Sequence, residues 1–384
     1  MTDPVHRPEQ AAVRGLLRAV DESLDGPAPR EWQAAITAVP RHRFLPHGIW
    51  LQNVQGDYEL CDLSADHDRW FEAAYADVPI VTQVNDGHPP PDPTDAWPSS
   101  SASAPSIVVR MLRDLDVRPG MNVLEIGTGT GWNAALLAHR LGAGHVTSVE
   151  IDPAVARKAW ASLNTAGLNV EVICGDGVDG WALRQPYDRI VSTCSVRRVP
   201  WAWVEQTRPG GVILTPWDNP MLCWGLLKLT VEPGRAHGRF SPHSAFMLMR
   251  GQRQDLRIFR DVVRDEHVPD ESETVLSPHD VTGDQWEARF ALGLHLGDVW
   301  TAWDDERLWV ATTDTRSWAA VDADGDHPTV WQYGPRRLWD EVEAAHRWWE
   351  EHGCPGPERF GLTVTEEAQW AWLDRPSQPL PLRR

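Results

Sequence analysis

The stretch "VLEIGTGTGWNAALLA", Val123 to Ala138, constrains this chain more than any other segment. An apolar run meets Gly127, Gly129 and Gly131, and helical apolar spacing resumes at once. Glycine lacks a Cβ, so a turn built on it can bring backbone N–H groups close to a ligand at a helix start. The alternation continues on both sides. Helix "SIVVRMLRDL" precedes strand "NVLEIG"; helix "NAALLAHRL", strand "HVTSVEI", helix "AVARKAWASLNTA" and strands "VEVICGD", "DRIVSTC" and "GVILTPW" follow, with a short helix near "WAWVEQT". This βαβαβ order predicts an α/β fold: a doubly wound, mostly parallel sheet covered by helices on both faces.

The flanks read differently. Up to about residue 75, "PEQAAVRGLLRAVDESL", "REWQAAITAV" and "DHDRWFEAAYAD" show three- and four-residue apolar spacing and predict helices. Between Val78 and Pro105 the pattern stops, and "NDGHPPPDPTDAWPSSSASAP" predicts a long surface loop. "CWGLLKLTV" and "HSAFMLMR" read as a closing pair of strands, and short strands plus one helix, "RRLWDEVEAAHRWWEEHG", fill the rest. The expected domains are a helical region with its loop at 1–104, the α/β core at 105–250 and an acidic, Trp-rich α+β extension at 251–384, expected to select the substrate. Half of the 22 tryptophans lie beyond residue 250, either as an aromatic binding surface or as large core fillers.

The formal charge of −19 is concentrated in the tail: 14 Lys+Arg face 27 Asp+Glu from residue 251 onward. A phosphate backbone needs clustered cations, so nucleic acid is not an expected partner. A peptide or small molecule fits better. No apolar run approaches the roughly 20 residues of a membrane span, and no secretory pattern opens the chain. The five cysteines are scattered and never two residues apart, which argues against a disulfide frame or a zinc site. A cytoplasmic, monomeric protein with reduced cysteines and no metal is expected.

The turn itself has two readings. Gly129, Gly131 and Ala134 satisfy the dinucleotide pattern, and Glu150, 19 residues after Gly131 at a strand end, could bind ribose hydroxyls. An NAD-dependent oxidoreductase is therefore one candidate, and a non-enzymatic peptide-binding module is another. Against both, Glu125 stands two residues before Gly127, and "CGDGVDG", "PYDRIVSTC" and "TRPGGVILTPW" follow in turn. That succession resembles class I S-adenosylmethionine-dependent methyltransferases, with their Rossmann-like fold.

The resemblance narrows further. "RHRFLP", "SASAPSIVVRML", "EIGTGTGWNAALLA", "GDGVDGWALRQPYDRIV" and "VPWAWVEQTRPGGVILTPW" are similar, block by block, to protein-L-isoaspartate (D-aspartate) O-methyltransferases. The closest likeness is to the longer relatives that act on ribosomally made peptides beside ATP-grasp (graspetide) maturases and lanthipeptide enzymes. The resemblance implies S-adenosylmethionine as cofactor and S-adenosylhomocysteine as product. It places Ser101, Ser103, Glu125, Gly127, Thr128, Gly129 and Gly131 along the methionine and ribose part, Glu150 and Ile151 at the ribose, and Asp176 with Gly177 at the adenine. Ser103 matches the serine of the family's Thr-Ile-Ser-x-Pro segment beside the transferred methyl. Two departures, Ser101-Ala102 for Thr-Ile and the Pro-rich loop before it, point away from the ordinary repair substrate.

Methylation of a carboxylate asks little of a site, because a carboxyl group with a reference pKa near 4 is already ionised at neutral pH. Ser103 would orient a carboxylate oxygen; its competing role is a helix N-cap. Arg197 and Arg198 in "CSVRRVP" are candidates for pairing with an acidic peptide, or lie on a solvated loop. His139 and His145 lack a third ligand at metal spacing, and Cys194 reads as a small apolar filler. The expected substrate is a modified ribosomal precursor peptide. Esterifying its acceptor Asp side chain lets the next backbone nitrogen displace methanol and form an aspartimide. The alternative is repair of isoaspartyl residues.

Overall fold

The computed structural model describes residues 7–24, 26–90, 92–242 and 244–380; the remaining residues of the three expected domains lie outside it. The chain divides into two compact units, the first of 1–194 with 202–214, the second of 195–201 with 215–384. These units part near residues 195 and 215 rather than at 104 and 250, so the N-terminal region and most of the α/β core share one unit.

The first unit opens with helices α1 (Arg7–Ser23) and α2 (Arg30–Ala38). Next come β1 (Gly48–Gln52), β2 (Tyr58–Asp62), α3 (His67–Ala74), β3 (Ile80–Val84) and β4 (Pro98–Ala102), and the strands form an antiparallel sheet in the order β2-β1-β3-β4. Two expectations fail here. The stretch read as wholly helical contains the β1–β2 hairpin, closed by Asn53, whose Oδ1 accepts from Gln55 N and Asp57 N at 3.0 Å each. Only one β2 residue, Cys61, is buried, so no alternating pattern marks the strand. The predicted long loop is instead the β3–β4 pair with a shorter excursion between them. Asn85 closes that excursion, its N donating to Trp97 O at 2.9 Å and its Oδ1 accepting from Trp97 N at 3.0 Å. Serine-rich β4 hides from a hydrophobicity reading because its hydroxyls are bonded sideways, as in Ser99 Oγ to Gln83 Oε1 at 2.9 Å.

The α/β core follows: α4 (Pro105–Leu115), β5 (Val123–Ile126), α5 (Trp132–Leu141), β6 (Val146–Glu150), α6 (Pro153–Thr165), β7 (Glu171–Cys174), β8 (Tyr187–Ser192), α7 (Trp201–Gln206) and β9 (Thr207–Asn219). Its strands run in the order β7-β6-β5-β8-β9, parallel throughout. Every residue of β5 and β6 is buried, as a sheet covered on both faces requires. Asp152 starts α6 by accepting from Ala154 N and Val155 N, with Pro153 in the first turn. The fold is that of a class I S-adenosylmethionine-dependent methyltransferase.

The second unit carries β10 (Leu222–Glu232) and β11 (Arg235–Ser241), joined at Pro233 and Gly234. The hairpin partner is therefore β11 and not "HSAFMLMR", which forms only an isolated bridge between Leu248 and Ser195; His243 of that stretch lies outside the described residues. Then come β12 (Asp270–Glu273), α8 (Pro278–Thr282), α9 (Trp286–Leu296), β13 (Val299–Trp303), β14 (Arg307–Thr312), β15 (Trp318–Asp322), β16 (Thr329–Tyr333), α10 (Leu338–Glu351), β17 (Phe360–Val364) and β18 (Gln369–Leu373). β12 to β16 make a five-stranded antiparallel sheet, and β17 and β18 extend the β10–β11 hairpin beyond β11. Trp339 packs with Leu308 and Val310 in one cluster, Trp309 and Trp318 with Ile258 in another. Core filling accounts for these tryptophans; Trp286 and Trp303 are exposed.

One buried cation organises the first unit. Arg41 is 1% exposed, and its guanidinium donates to the carbonyls of Ala76, Val78, Ala102 and Ser103 at 3.0 Å each. Burial lowers its pKa to about 10, so the charge persists at neutral pH and is met by carbonyl dipoles. Arg41→Met keeps the volume of the stem but strands these acceptors, and an unsatisfied buried polar group costs about 1–3 kcal/mol. Urea denaturation should show a loss of about 3 kcal/mol or more, with Arg41→Lys recovering only part because an ammonium lacks the planar fork.

Candidate active site

At the end of β5 the chain turns through Gly127 (φ +92°), Gly129 (φ +54°) and Gly131 (φ +84°) before α5 begins. All three conformations strain a residue with a side chain. Their surroundings differ. A Cβ on Gly127 would come within 2.8 Å of Thr193 Oγ1, and one on Gly131 within 3.3 Å of Ala159 Cβ. These two glycines let the turn pack on its own unit. A Cβ on Gly129 would meet only Ser101 O, at an ordinary 3.5 Å, so here a side chain would enter open space instead of colliding with the fold.

The turn is framed from the neighbouring strand. Gly127 N and Thr128 N donate to Val149 O at 2.8 and 3.3 Å, and Gly129 N donates to Glu150 Oε2 at 2.9 Å. Beneath it lies Glu125, fully buried: Asn133 Nδ2 donates to its Oε1 at 2.7 Å, Ser148 Oγ donates to its Oε2, and Ser148 Oγ lies 2.6 Å from Thr128 Oγ1. Burial raises the Glu125 pKa to about 7, the two hydrogen bonds opposing and the charge of Glu150 reinforcing the shift. Glu125 offers no surface to a ligand; it braces the turn that does.

Glu150 ends β6, with Oε1 accepting from Asp152 N at 3.0 Å, and its carbonyl accepts from Gly175 N at 2.9 Å. That bond draws in the end of β7, where exposed Asp176 accepts from Val178 N at 3.0 Å and buried Gly177 accepts through its carbonyl from Trp203 Nε1 at 2.7 Å. Ile151 is 37% exposed between them. Gly129, Glu150, Ile151 and Asp176 thus share the carboxyl edge of the parallel sheet. The strand order reverses between β5 and β8, and there Thr193 Oγ1 donates to Gly127 O. Such a switch point is where open α/β sheets form ligand crevices.

Ser101 lies on β4 beside Gly129, and Ser103 follows it, half-buried, with its carbonyl on Arg41. The cap role weighed for Ser103 is not what occurs: Ala104 is the N-cap residue of α4, and Asp77 Oδ1 accepts from Ser106 N at 2.8 Å. Arg197 and Arg198 fall in the second unit, where Arg197 Nε is 3.3 Å from Asp218 Oδ2. Cys194 is half-buried, its carbonyl accepting from Ser192 Oγ at 2.6 Å. His145 Nδ1 lies 3.0 Å from Asn122 Oδ1. Sequence reasoning missed Arg41, Asn133, Ser148 and Thr193. Arg41, Asn133 and Thr193 sat inside blocks already singled out; the partners of Arg41 and Thr193 are tens of residues away, while Asn133 bonds Glu125 eight residues before it.

The groups gathered at the sheet edge are carboxylates, hydroxyls, backbone amides and one apolar side chain. Carboxylates only accept hydrogen bonds, so Glu150 and Asp176 suit ribose hydroxyls, an amino group and positive charge. The set fits S-adenosylmethionine.

Comparison with known proteins agrees. Residues 66–222 match the model of the protein-L-isoaspartate(D-aspartate) O-methyltransferase family. A protein-L-isoaspartate O-methyltransferase of Methanoculleus marisnigri is 32% identical over 234 residues, 61% of this chain and 87% of that protein. The chain belongs to this family. A relative of the same name from Pyrococcus horikoshii is 41% identical over 163 residues, 42% of this chain and 67% of its own. A solved protein-L-isoaspartate O-methyltransferase shares the fold, covering 94% of this chain and all of its own at a TM-score of 0.55 and 22% identity. The protein is thus an S-adenosylmethionine-dependent carboxyl O-methyltransferase, which retires the oxidoreductase and non-enzymatic readings. Among the described residues no helix is long and apolar enough to cross a membrane.

Two outcomes follow for this methyltransferase. Gly129→Val should cut S-adenosylhomocysteine affinity at least tenfold in calorimetry while the chain stays folded, whereas Gly131→Val, aimed at Ala159 and Leu163, should lower the melting temperature. Glu125 should also leave a pH signature. Its raised pKa means that between the reference value of 4.5 and about 7 the folded protein holds a proton the unfolded chain has lost, so stability falls as pH rises through that window. In Glu125→Gln that slope should vanish, the difference from wild type growing by up to about 1.4 kcal/mol per pH unit in denaturant titrations.

Proposed function

We propose that this methyltransferase esterifies the carboxylate of isoaspartyl residues in peptides or proteins. The observation that carries the reading is the laying of Ser101, at the end of β4, against Gly129 of the cofactor turn. It sets Ser103, the serine matched to the family's methyl-transfer segment, two residues further along. The relatives' names favour the isoaspartyl substrate. Among the described residues no disulfide joins the cysteines, in keeping with action in the cytoplasm.

When bound, S-adenosylmethionine supplies a methyl on a positively charged sulfur, which passes to a carboxylate oxygen while the C–S electron pair stays on sulfur. Gly129 lets the backbone approach its methionine part beside Ser101, while Gly127, Gly131 and the buried Thr128 keep the turn packed in the shape that presents it. Glu150 accepts the ribose hydroxyls, Ile151 gives the ring an apolar face, and the Asp176–Gly177 corner meets the adenine amino group. Ser103 donates a hydrogen bond to the acceptor carboxylate and aligns it, which is the main requirement when no proton has to be removed. Arg41 holds the Ser103 backbone in place, and so acts through Ser103.

A second reading is esterification of a normal Asp side chain in a ribosomally made peptide, ending in an aspartimide. Ser101-Ala102 in place of Thr-Ile and the Pro-rich excursion between β3 and β4 favour it. The long tail does not, because the solved isoaspartate methyltransferase covers nearly the whole chain. Mass spectrometry with labelled cofactor separates the two. An isoaspartyl peptide should gain one methyl and then lose methanol, while the same peptide with normal Asp stays unchanged. The reverse pattern, with methylation only of a constrained Asp peptide, would establish the second reading.

A further inference from the structure

The second unit holds a cavity of about 190 Å³ whose wall includes Arg197, Arg198, Trp217, Asp218, Asn219 and Gly293. Its floor is built with unusual care. Asn219 Oδ1 accepts from Met221 N and Leu222 N at 3.0 Å each, which fixes the amide so that its nitrogen is the remaining end. Among the described residues that nitrogen and the Trp217 indole N–H have no hydrogen-bond partner, although both residues are more than nine-tenths buried. Gly293 makes room for this arrangement: a Cβ there would lie 2.1 Å from Asn219 Oδ1. Glycine inside a helix costs roughly 1 kcal/mol against alanine, and here the space for Asn219 explains its presence in α9.

The arginine-bearing wall is fastened as well. Gln252 Oε1 accepts from Arg197 N and Arg198 N at 2.8 and 3.0 Å, and Gln369 bonds Val199 N and Val199 O at 3.1 and 2.6 Å. Arg197 is paired with Asp218, so the exposed guanidinium of Arg198 leaves the wall with net positive charge. Two buried N–H donors without acceptors beside an arginine define a ligand that brings oxygen acceptors and negative charge.

We propose that this cavity binds a peptide carboxylate, that of an acidic residue accompanying the methyl acceptor. The identity of the ligand as part of a substrate rests on the peptide-methylating reading, whereas the binding itself does not. The cavity selects acidic peptides, and it does so with residues of the second unit alone.

Calorimetry on the full chain tests this without turnover. The probe is a short acetylated, amidated peptide with two Glu residues, set against the same peptide with Gln and against the Gln peptide with a free C-terminus. Wild type should bind a carboxylate-bearing peptide at least tenfold more tightly than the blocked Gln peptide, and the two carboxylate arms tell a side chain from a chain terminus. Asn219→Asp keeps the Oδ1 contacts but replaces the unpartnered donor with an acceptor, and Arg198→Glu reverses the exposed charge; each should remove the preference. S-adenosylhomocysteine binding in the same samples reports on folding and on the methyltransferase reading separately. Equal affinity of wild type for the Glu peptide and both Gln peptides would overturn the proposal, as would an undiminished preference in a folded Arg198→Glu protein.

Discussion

A single carboxylate in the core ties together everything the cofactor turn needs. Glu125 belongs to β5, its partners Ser148 and Asn133 to β6 and α5, and Thr128, reached through Ser148, to the turn itself. Burying an ionisable group is expensive, and the upward displacement of its pKa records that cost. The return is a turn whose three left-handed glycines cannot drift, because strand, helix and loop all hang from one pair of oxygens. Buried polar networks of this kind specify a single arrangement only when every member is satisfied, and here both oxygens are.

The consequences reach outward along the sheet edge. With the turn held, Gly129 N finds Glu150, the Glu150 carbonyl finds Gly175, and Asp176 follows at the next strand end. The resulting edge presents acceptors and space, with negative rather than positive charge, in keeping with ribose hydroxyls, an amino group and a cationic sulfonium. The antiparallel sheet before the core has a matching task. β4 brings Ser101 to Gly129, and Arg41 grips the backbone at Ala102 and Ser103, so the glycine turn and the β4 end are referenced to the same unit.

The second unit is built on other terms. Its antiparallel sheets bury tryptophans in two clusters, so its aromatic wealth serves packing first. The unit also lines a small, charged cavity, where the backbone of Arg197 to Val199 is held by the amides of Gln252 and Gln369. Acidity of the tail as a whole and positive charge at this cavity are compatible, since net charge is a sum and recognition is local.

Much of the parallel core was legible in the sequence, because βαβ units advertise themselves through local properties: continuous apolar strands, amphipathic helices and glycine where φ must be positive. Gly127, Gly129, Gly131 and Glu150 could be named from spacing and Asp176 from the family resemblance, and they gather at one edge. The β1–β2 hairpin and β3–β4 pair could not, because their strands are half exposed and stitched by serine, asparagine and glutamine side chains, which leave no hydrophobic period. Nor could the inward commitment of Glu125 or the clamp of Arg41, whose acceptors lie 33 to 62 residues away. Sequence determines what each segment prefers within a few turns of itself; only the tertiary structure decides which buried donor meets which acceptor, because those bonds form after distant segments have packed.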